Sequence, residues 1–278
     1  MDSAVWIDGR MAGPDASLPV DDHGIITGDG AFETLLAVDR PRRTAFAVSR
    51  HLERLHRSCE VLGIQIASGD EDIRDAVDAC VTAAPTAGIV RITVTSGRGP
   101  LGSTRGDGPS SVIVIAGGPK PSYPHGTAVV VFPHPRNERG VMAGVKTSSY
   151  AENVVALRYA HRRGASEAIF ANTRGQLCEG TGSNIFWTDG ERIHTPPLPS
   201  GCLAGVTRAL LMEHLDCCEA DLPIGALSEI PEAFLTSSTR IVQSIARVDD
   251  TDLRTVDGPL TKAAAEMLVD LIATDVDP

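Results

Sequence analysis

Gly117-Gly118-Pro119-Lys120-Pro121-Ser122-Tyr123-Pro124 is the stretch on which the organisation of this chain turns. Its three prolines and two glycines continue neither a helix nor a central strand, because proline lacks an N–H and glycine brings no side chain to pack. The segment predicts an extended linker. It divides the 278 residues into an N-terminal α/β domain over 1–116, an interdomain linker over 117–127 and a C-terminal domain over 128–278.

Upstream, Val5-Trp6-Ile7 and 31–38 read as strands, the second entered through Gly28-Asp29-Gly30. Leu52, Leu55, Cys59 and Leu62 recur at helical spacing within 48–62, and a second helix is expected over 70–83. Two β-branched strands, 89–95 and 111–115, are joined by a glycine-rich loop over 97–109. Downstream, strands over 128–132, 167–171, 184–187 and 233–235 alternate with helices over about 151–163, 206–215 and 260–273. The expectation is a mixed α/β (α+β) fold in two domains.

Composition narrows the function. Apolar residues at 42% against 22% charged predict a soluble globular chain. A net charge of -11 argues against a nucleic-acid partner, which needs a basic face. No run approaches the roughly 18 apolar residues of a membrane span. The N-terminus carries no basic region and no apolar signal core, so the expected location is cytoplasmic. The six cysteines include no C-x-x-C pair, and Cys217-Cys218 are adjacent. That spacing suits neither a metal site nor a disulfide framework and predicts free thiols.

Downstream of the linker lies one of only three lysines. Lys120 belongs to the linker and Lys262 to the polar face of the last helix. Lys146 ends the apolar run Val141-Met142-Ala143-Gly144-Val145, read as a strand, and precedes Thr147-Ser148-Ser149-Tyr150. A lysine at the end of an apolar strand is paired or has a depressed pKa. The depressed form is a nucleophile towards carbonyls, the condition for a Schiff base.

Glu179 stands in Cys178-Glu179-Gly180-Thr181-Gly182-Ser183-Asn184-Ile185-Phe186. The small residues after it let backbone approach a planar ligand. A pyridoxal ring needs an anionic partner at its nitrogen, and Glu179 is the candidate. A phosphate needs donors. Gly201-Cys202-Leu203-Ala204-Gly205-Val206-Thr207-Arg208 runs into a helix whose first amides, with the Thr207 hydroxyl, make an anion site. Thr236-Ser237-Ser238-Thr239 adds hydroxyls and amides after a strand, and Arg54 adds a charged donor. Together these groups meet the requirements of pyridoxal 5′-phosphate.

In this ordered set the chain resembles the fold-type IV pyridoxal-phosphate enzymes, the class IV aminotransferases. The likeness runs through Gly28-Asp29-Gly30-Ala31-Phe32-Glu33-Thr34, His51–Ser58, Lys146–Asn153, Gly164–Ala168, Glu179–Phe186 and Leu203–Arg208. It implies that Lys146 forms the Schiff base and shuttles the proton, and that Glu179 holds the pyridine nitrogen. It further implies that Arg54, Val206, Thr207, Ser238 and Thr239 grip the phosphate. The partners implied are a small-molecule amino donor and a 2-oxo acid acceptor. The resemblance also implies a homodimer whose active sites lie at the domain and subunit boundary.

Substrate choice rests on departures from the family pattern. Leu36 stands where many branched-chain and D-amino-acid transaminases carry a basic residue. Leu101 and Ser103 replace the Arg-x-His pair of D-amino-acid transaminases. Beside Phe32, Arg91 and Arg98 are the candidate carboxylate holders, and either arginine is equally read as pairing with a surface carboxylate. The expected activity is transamination of a D-amino acid, with (R)-primary amines as further donors. The alternatives are 4-amino-4-deoxychorismate lyase, releasing pyruvate and 4-aminobenzoate, and branched-chain L-amino-acid aminotransferase.

Overall fold

The computed structural model describes residues 3–278 other than 14, 40, 41 and 121; of the expected linker, Pro121 lies outside the described residues. Two units emerge. One comprises residues 1–121, 145–150 and 272–278, the other 122–144 and 151–271. Residues 145–150 and 272–278, which a single boundary near residue 120 assigns to the second unit, pack in the first.

The first unit is built from β1 (Ala4–Ile7), β2 (Arg10–Ala12), α1 (His23–Ile26), β3 (Gly30–Asp39), β4 (Arg43–Ala45), α2 (Val48–Leu62), α3 (Asp70–Ala83), β5 (Ile89–Thr95) and β6 (Ser111–Gly117). Its antiparallel sheet runs β2-β1-β6-β5-β3-β4. The period of two in β5 sorts its side chains: Val90, Ile92 and Val94 are fully buried, whereas Arg91 is exposed. Pairing opposite Ala31, Glu33 and Leu35 places Ile92 and its neighbours on one face with those residues. That face joins Leu52 and Leu55 of α2 and Ile73 and Val77 of α3 in the core. Phe32 and Thr34, opposite Thr93 and Arg91, lie on the other face.

The helix α2 begins without a capping side chain of its own, at Ala47 with φ 56°. Asp277 supplies the cap from the far end of the chain. Its carboxylate accepts from Ser49 N at 2.8 Å and Ser49 Oγ at 2.6 Å, and Ala47 N donates to Val276 O. The loop over 97–109 is pinned rather than loose. Arg105 forks onto Asp29 and donates to Leu62 O and Gly63 O at the end of α2.

The second unit holds β7 (Gly126–Val131), α4 (Ala151–His161), β8 (Glu167–Ala171), β9 (Leu177–Gly180), β10 (Asn184–Thr188), β11 (Ile193–Thr195), α5 (Val206–His214), β12 (Cys217–Glu219), β13 (Glu232–Ser237), β14 (Ile241–Val248), β15 (Thr251–Asp252) and most of α6 (Pro259–Thr274). Its nine-stranded sheet runs β12-β11-β10-β13-β14-β7-β8-β9, with β15 added to β14. The pairs β14–β7, β7–β8 and β11–β12 are parallel. β9 leads into β10 through three residues although the two are far apart in the order. The sheet therefore curls. β8, β9 and β10 are buried along their whole length, as strands covered on both faces must be.

Two local expectations are corrected. Residues 141–144 form turns, not a strand: Gly144 takes φ +74° and Val141 is 79% exposed. A run broken by a left-handed glycine has no continuous face to bury. Lys146 instead follows an extended crossing beside β3, where Phe32 N donates to Lys146 O and Ser148 N to Gly30 O. Glu179, read as the residue before a strand, is itself in a buried strand, β9, opposite Phe170.

Candidate active site

In the first unit the chemistry gathers on the Phe32 face of β3. The Lys146 ammonium lies 4.4 Å from the Phe32 ring centroid and the Arg91 guanidinium carbon 3.8 Å from it. Tyr150 meets the same ring edge-on at 5.3 Å. Arg91 Nε donates to Thr93 Oγ1 at 3.3 Å, and among the described residues it has no carboxylate partner. Arg98 differs. It is held by Asp21 through three bonds of 2.8–3.1 Å, and the guanidinium keeps the Asp21 carboxyl below its ordinary pKa.

Arg54 belongs to the opposite, buried face. Its Nε and Nη2 donate to the two oxygens of Glu33 at 2.8 and 2.6 Å, and His51 Nδ1 lies 2.6 Å from the same carboxylate. Burial opposes ionisation of Glu33, yet Arg54 and His51 pull its pKa down to about 2. Burial also lowers the His51 pKa, against the pull of Glu33. One turn further along α2, Ser58 Oγ accepts from Lys146 N at 3.3 Å. The helix that carries Arg54 thus also seats the lysine backbone.

In the second unit Glu179 is buried with both oxygens engaged. Oε1 accepts from Arg136 Nη1 at 2.6 Å, and Oε2 from Leu203 N at 2.9 Å. Arg136 stacks over Phe170 at 4.1 Å and donates through Nη2 to Asn153 Oδ1 at 3.0 Å. Leu203 begins the approach to α5. Asn184 Nδ2 donates to Leu203 O at 2.8 Å, and Gly205 is the N-cap, with no side-chain cap bond. The amides of Val206 and Thr207 in the first turn have no acceptor inside the helix. Asn184 pairs with Thr236 on β13, which leads to the turn carrying Ser238 and Thr239. There Thr239 Oγ1 lies 3.3 Å from Tyr123 Oη.

Both regions are tied to Glu167. This buried carboxylate accepts from Thr181 N at 3.0 Å, Ser183 Oγ at 3.0 Å and Arg240 Nη2 at 3.1 Å. An uncapped helix start, neighbouring hydroxyls and the buried Thr236 Oγ1, which has no hydrogen-bond partner among the described residues, make a donor set that fits a phosphate. A buried carboxylate fits a protonated ring nitrogen. These residues suit pyridoxal phosphate.

Glu33, Arg136 and Glu167 were not singled out by sequence. Glu33 had a signal: it shares the strand parity of Ala31 and Leu35, so a carboxylate on that face demands a buried cation. Arg136, in Phe132-Pro133-His134-Pro135-Arg136, follows no periodic pattern.

The comparisons name this arrangement. The family model of class IV amino-transferases matches residues 30–248, and the chain belongs to that family. The branched-chain-amino-acid aminotransferase of Pseudomonas aeruginosa is 28% identical, with 98% of this chain and 94% of that protein covered. A bifunctional aminodeoxychorismate lyase / D-amino acid transaminase of Mycobacterium tuberculosis is 27% identical over 98% and 99%. The PLP-bound structure of a hypothetical aminotransferase from Mycobacterium tuberculosis superposes with a TM-score of 0.83 at 28% identity, covering 98% and 99% of the two chains. The chain is therefore a fold-type IV enzyme, a pyridoxal-phosphate-dependent aminotransferase. No helix among the described residues is long and apolar enough to cross a membrane.

Proposed function

We propose that this aminotransferase moves the amino group of a D-amino acid to a 2-oxo acid, accepts (R)-primary amines as further donors, and acts as a homodimer. The observation that carries the proposal is the Arg91 guanidinium on the Phe32 face, close to the ring that Lys146 also approaches and without a carboxylate partner among the described residues. With Arg98 occupied by Asp21, Arg91 is the cation available to hold one substrate carboxylate. One fixed cation suits a simple amino acid better than the dicarboxylate 4-amino-4-deoxychorismate.

Bound pyridoxal phosphate supplies an electron sink that lets the C–H bond beside the amino nitrogen ionise. Lys146 Nζ takes that proton and returns it. Glu179, kept anionic by Arg136 and the Leu203 amide, holds a proton on the ring nitrogen. Arg54, oriented by Glu33, and the donors of Val206, Thr207, Ser238 and Thr239 are the groups that would hold the cofactor's phosphate.

The test is to follow the cofactor absorbance of the loaded protein while adding D-alanine, D-glutamate, L-leucine and (R)-1-phenylethylamine in turn. D-alanine should convert the cofactor to its amine form, and 2-oxoglutarate should reverse the change. Conversion by L-leucine alone would favour the branched-chain reading. A spectrum unmoved by D-amino acids, with 4-aminobenzoate and pyruvate formed from aminodeoxychorismate, would establish the lyase.

A further inference from the structure

The edge of the second unit's sheet carries a second reactive cluster. β11 and β12 run parallel, with His194 directly beside Cys218 in the register. The Cys218 sulfur lies 3.1 Å from His194 Nδ1, and His194 Nε2 lies 2.9 Å from Asp189 Oδ2. The imidazole thus stands between a thiol and a carboxylate, each on its own ring nitrogen.

The carboxylate is fixed for this task. Asp189 Oδ1 accepts from the amides of Glu191 and Arg192 at 2.9 Å each, and those two bonds, ahead of His194, hold its pKa well below the ordinary carboxylate range. Oδ2 is left to accept from Nε2–H. That bond selects the tautomer in which Nδ1 is a bare acceptor facing the thiol. Trp187 stacks beside the ring at 5.7 Å and restrains its tilt.

Access distinguishes Cys217 and Cys218 from the other cysteines. Cys59, Cys80, Cys178 and Cys202 are buried, while Cys217 and Cys218 are half-buried. β12 is the terminal strand of its sheet, and Cys218 keeps part of its surface exposed. Burial, with the charges of Cys218 and Asp216, pushes the neighbouring Cys217 thiol up to about 11. Among the described residues no group of His, Cys, Asp and Glu could hold a metal ion.

We propose that Asp189, His194 and Cys218 form a thiol-activating site at which Cys218 exchanges with small disulfides. As the Cys218 sulfur attacks one sulfur of the reagent, its proton passes to His194 Nδ1. A new S–S bond forms to Cys218 and the old one breaks. The second sulfur leaves with the electron pair as a thiolate, so Cys218 is oxidised and the leaving sulfur reduced. Asp189 stabilises the resulting imidazolium.

The test is to expose the cofactor-loaded protein to glutathione disulfide and map the adducts by peptide mass over time and pH. Cys218 should be modified before every other cysteine. His194→Gln, which removes the proton acceptor from the attacking thiol, should slow the exchange about tenfold. Asp189→Asn, at an exposed side chain, should act in the same direction, and unchanged transaminase turnover in both variants shows that they fold. A first adduct on Cys217, or wild-type rates in both variants, would overturn the assignment.

Discussion

Glu179 shows how a charge is kept inside a protein. It is buried, and what offsets its desolvation is Arg136 on one oxygen and a backbone amide on the other. Arg136→Met therefore leaves a buried carboxylate without its cation and should lower the unfolding free energy by about 3 kcal/mol. Adding Glu179→Gln to that variant should restore most of the loss, measured by urea unfolding of the four proteins of the cycle. A double variant no more stable than Arg136→Met would show that the pair is not coupled. Arg91 offers a kinetic counterpart. If it holds the substrate carboxylate, Arg91→Gln should raise KM for D-alanine by about ten- to a hundredfold, the worth of a charged hydrogen bond, while leaving (R)-1-phenylethylamine unaffected. Equal losses with both donors would contradict that role. Lys146 and Glu179 drew notice in the sequence because each breaks its local pattern, a rare lysine before hydroxyls and a carboxylate before small residues. Arg136 sits after two prolines with nothing periodic to mark it, so only the fold reveals its part.

At the scale of elements, the start of α5 depends on a glycine for want of space. A Cβ on Gly205 would fall 1.9 Å from Asn184 Oδ1, and the Asn184 amide holds Leu203 O. Gly205→Ala must displace Asn184 or tilt the first turn of α5. Apo-protein titrated with pyridoxal phosphate should then bind about tenfold more weakly, a loss comparable to that of one helix cap. Wild-type affinity would mean that these amides do not serve the phosphate. The long elements were readable in advance: α2 and α3 from spacing, β5 and β6 from β-branched runs. Short strands such as β9, β11 and β12 were not. Three or four residues carry too little alternation to stand out, and their pairing is decided by partners outside the segment, Phe170 for β9, Trp187 for β11 and His194 for β12.

The whole molecule registers pH through the buried Glu33–His51–Arg54 group. Both shifts are downward, so the unfolded chain binds more protons and stability rises with pH and is lost as the solution is acidified. The His51 contribution is complete above its ordinary pKa of 6.5 and is lost as pH drops below it. The Glu33 contribution, on the order of 3 kcal/mol, persists above 4.5 and disappears as pH falls towards about 2. Urea midpoints should decline in two stages, and His51→Gln should flatten the stage that begins below pH 6.5; an unaltered profile would remove His51 from the account. The two-domain reading came from the linker, but the returns of residues 145–150 and 272–278 to the first unit had no local mark, since they are fixed by contacts across more than a hundred residues. The Asp277 cap on α2 has a temporal side as well. During synthesis the residues of α2 emerge more than two hundred residues ahead of the carboxylate that completes their first turn. Until then the helix bearing Arg54 has an open end, so the first unit waits on a segment made more than two hundred residues later before that end can close.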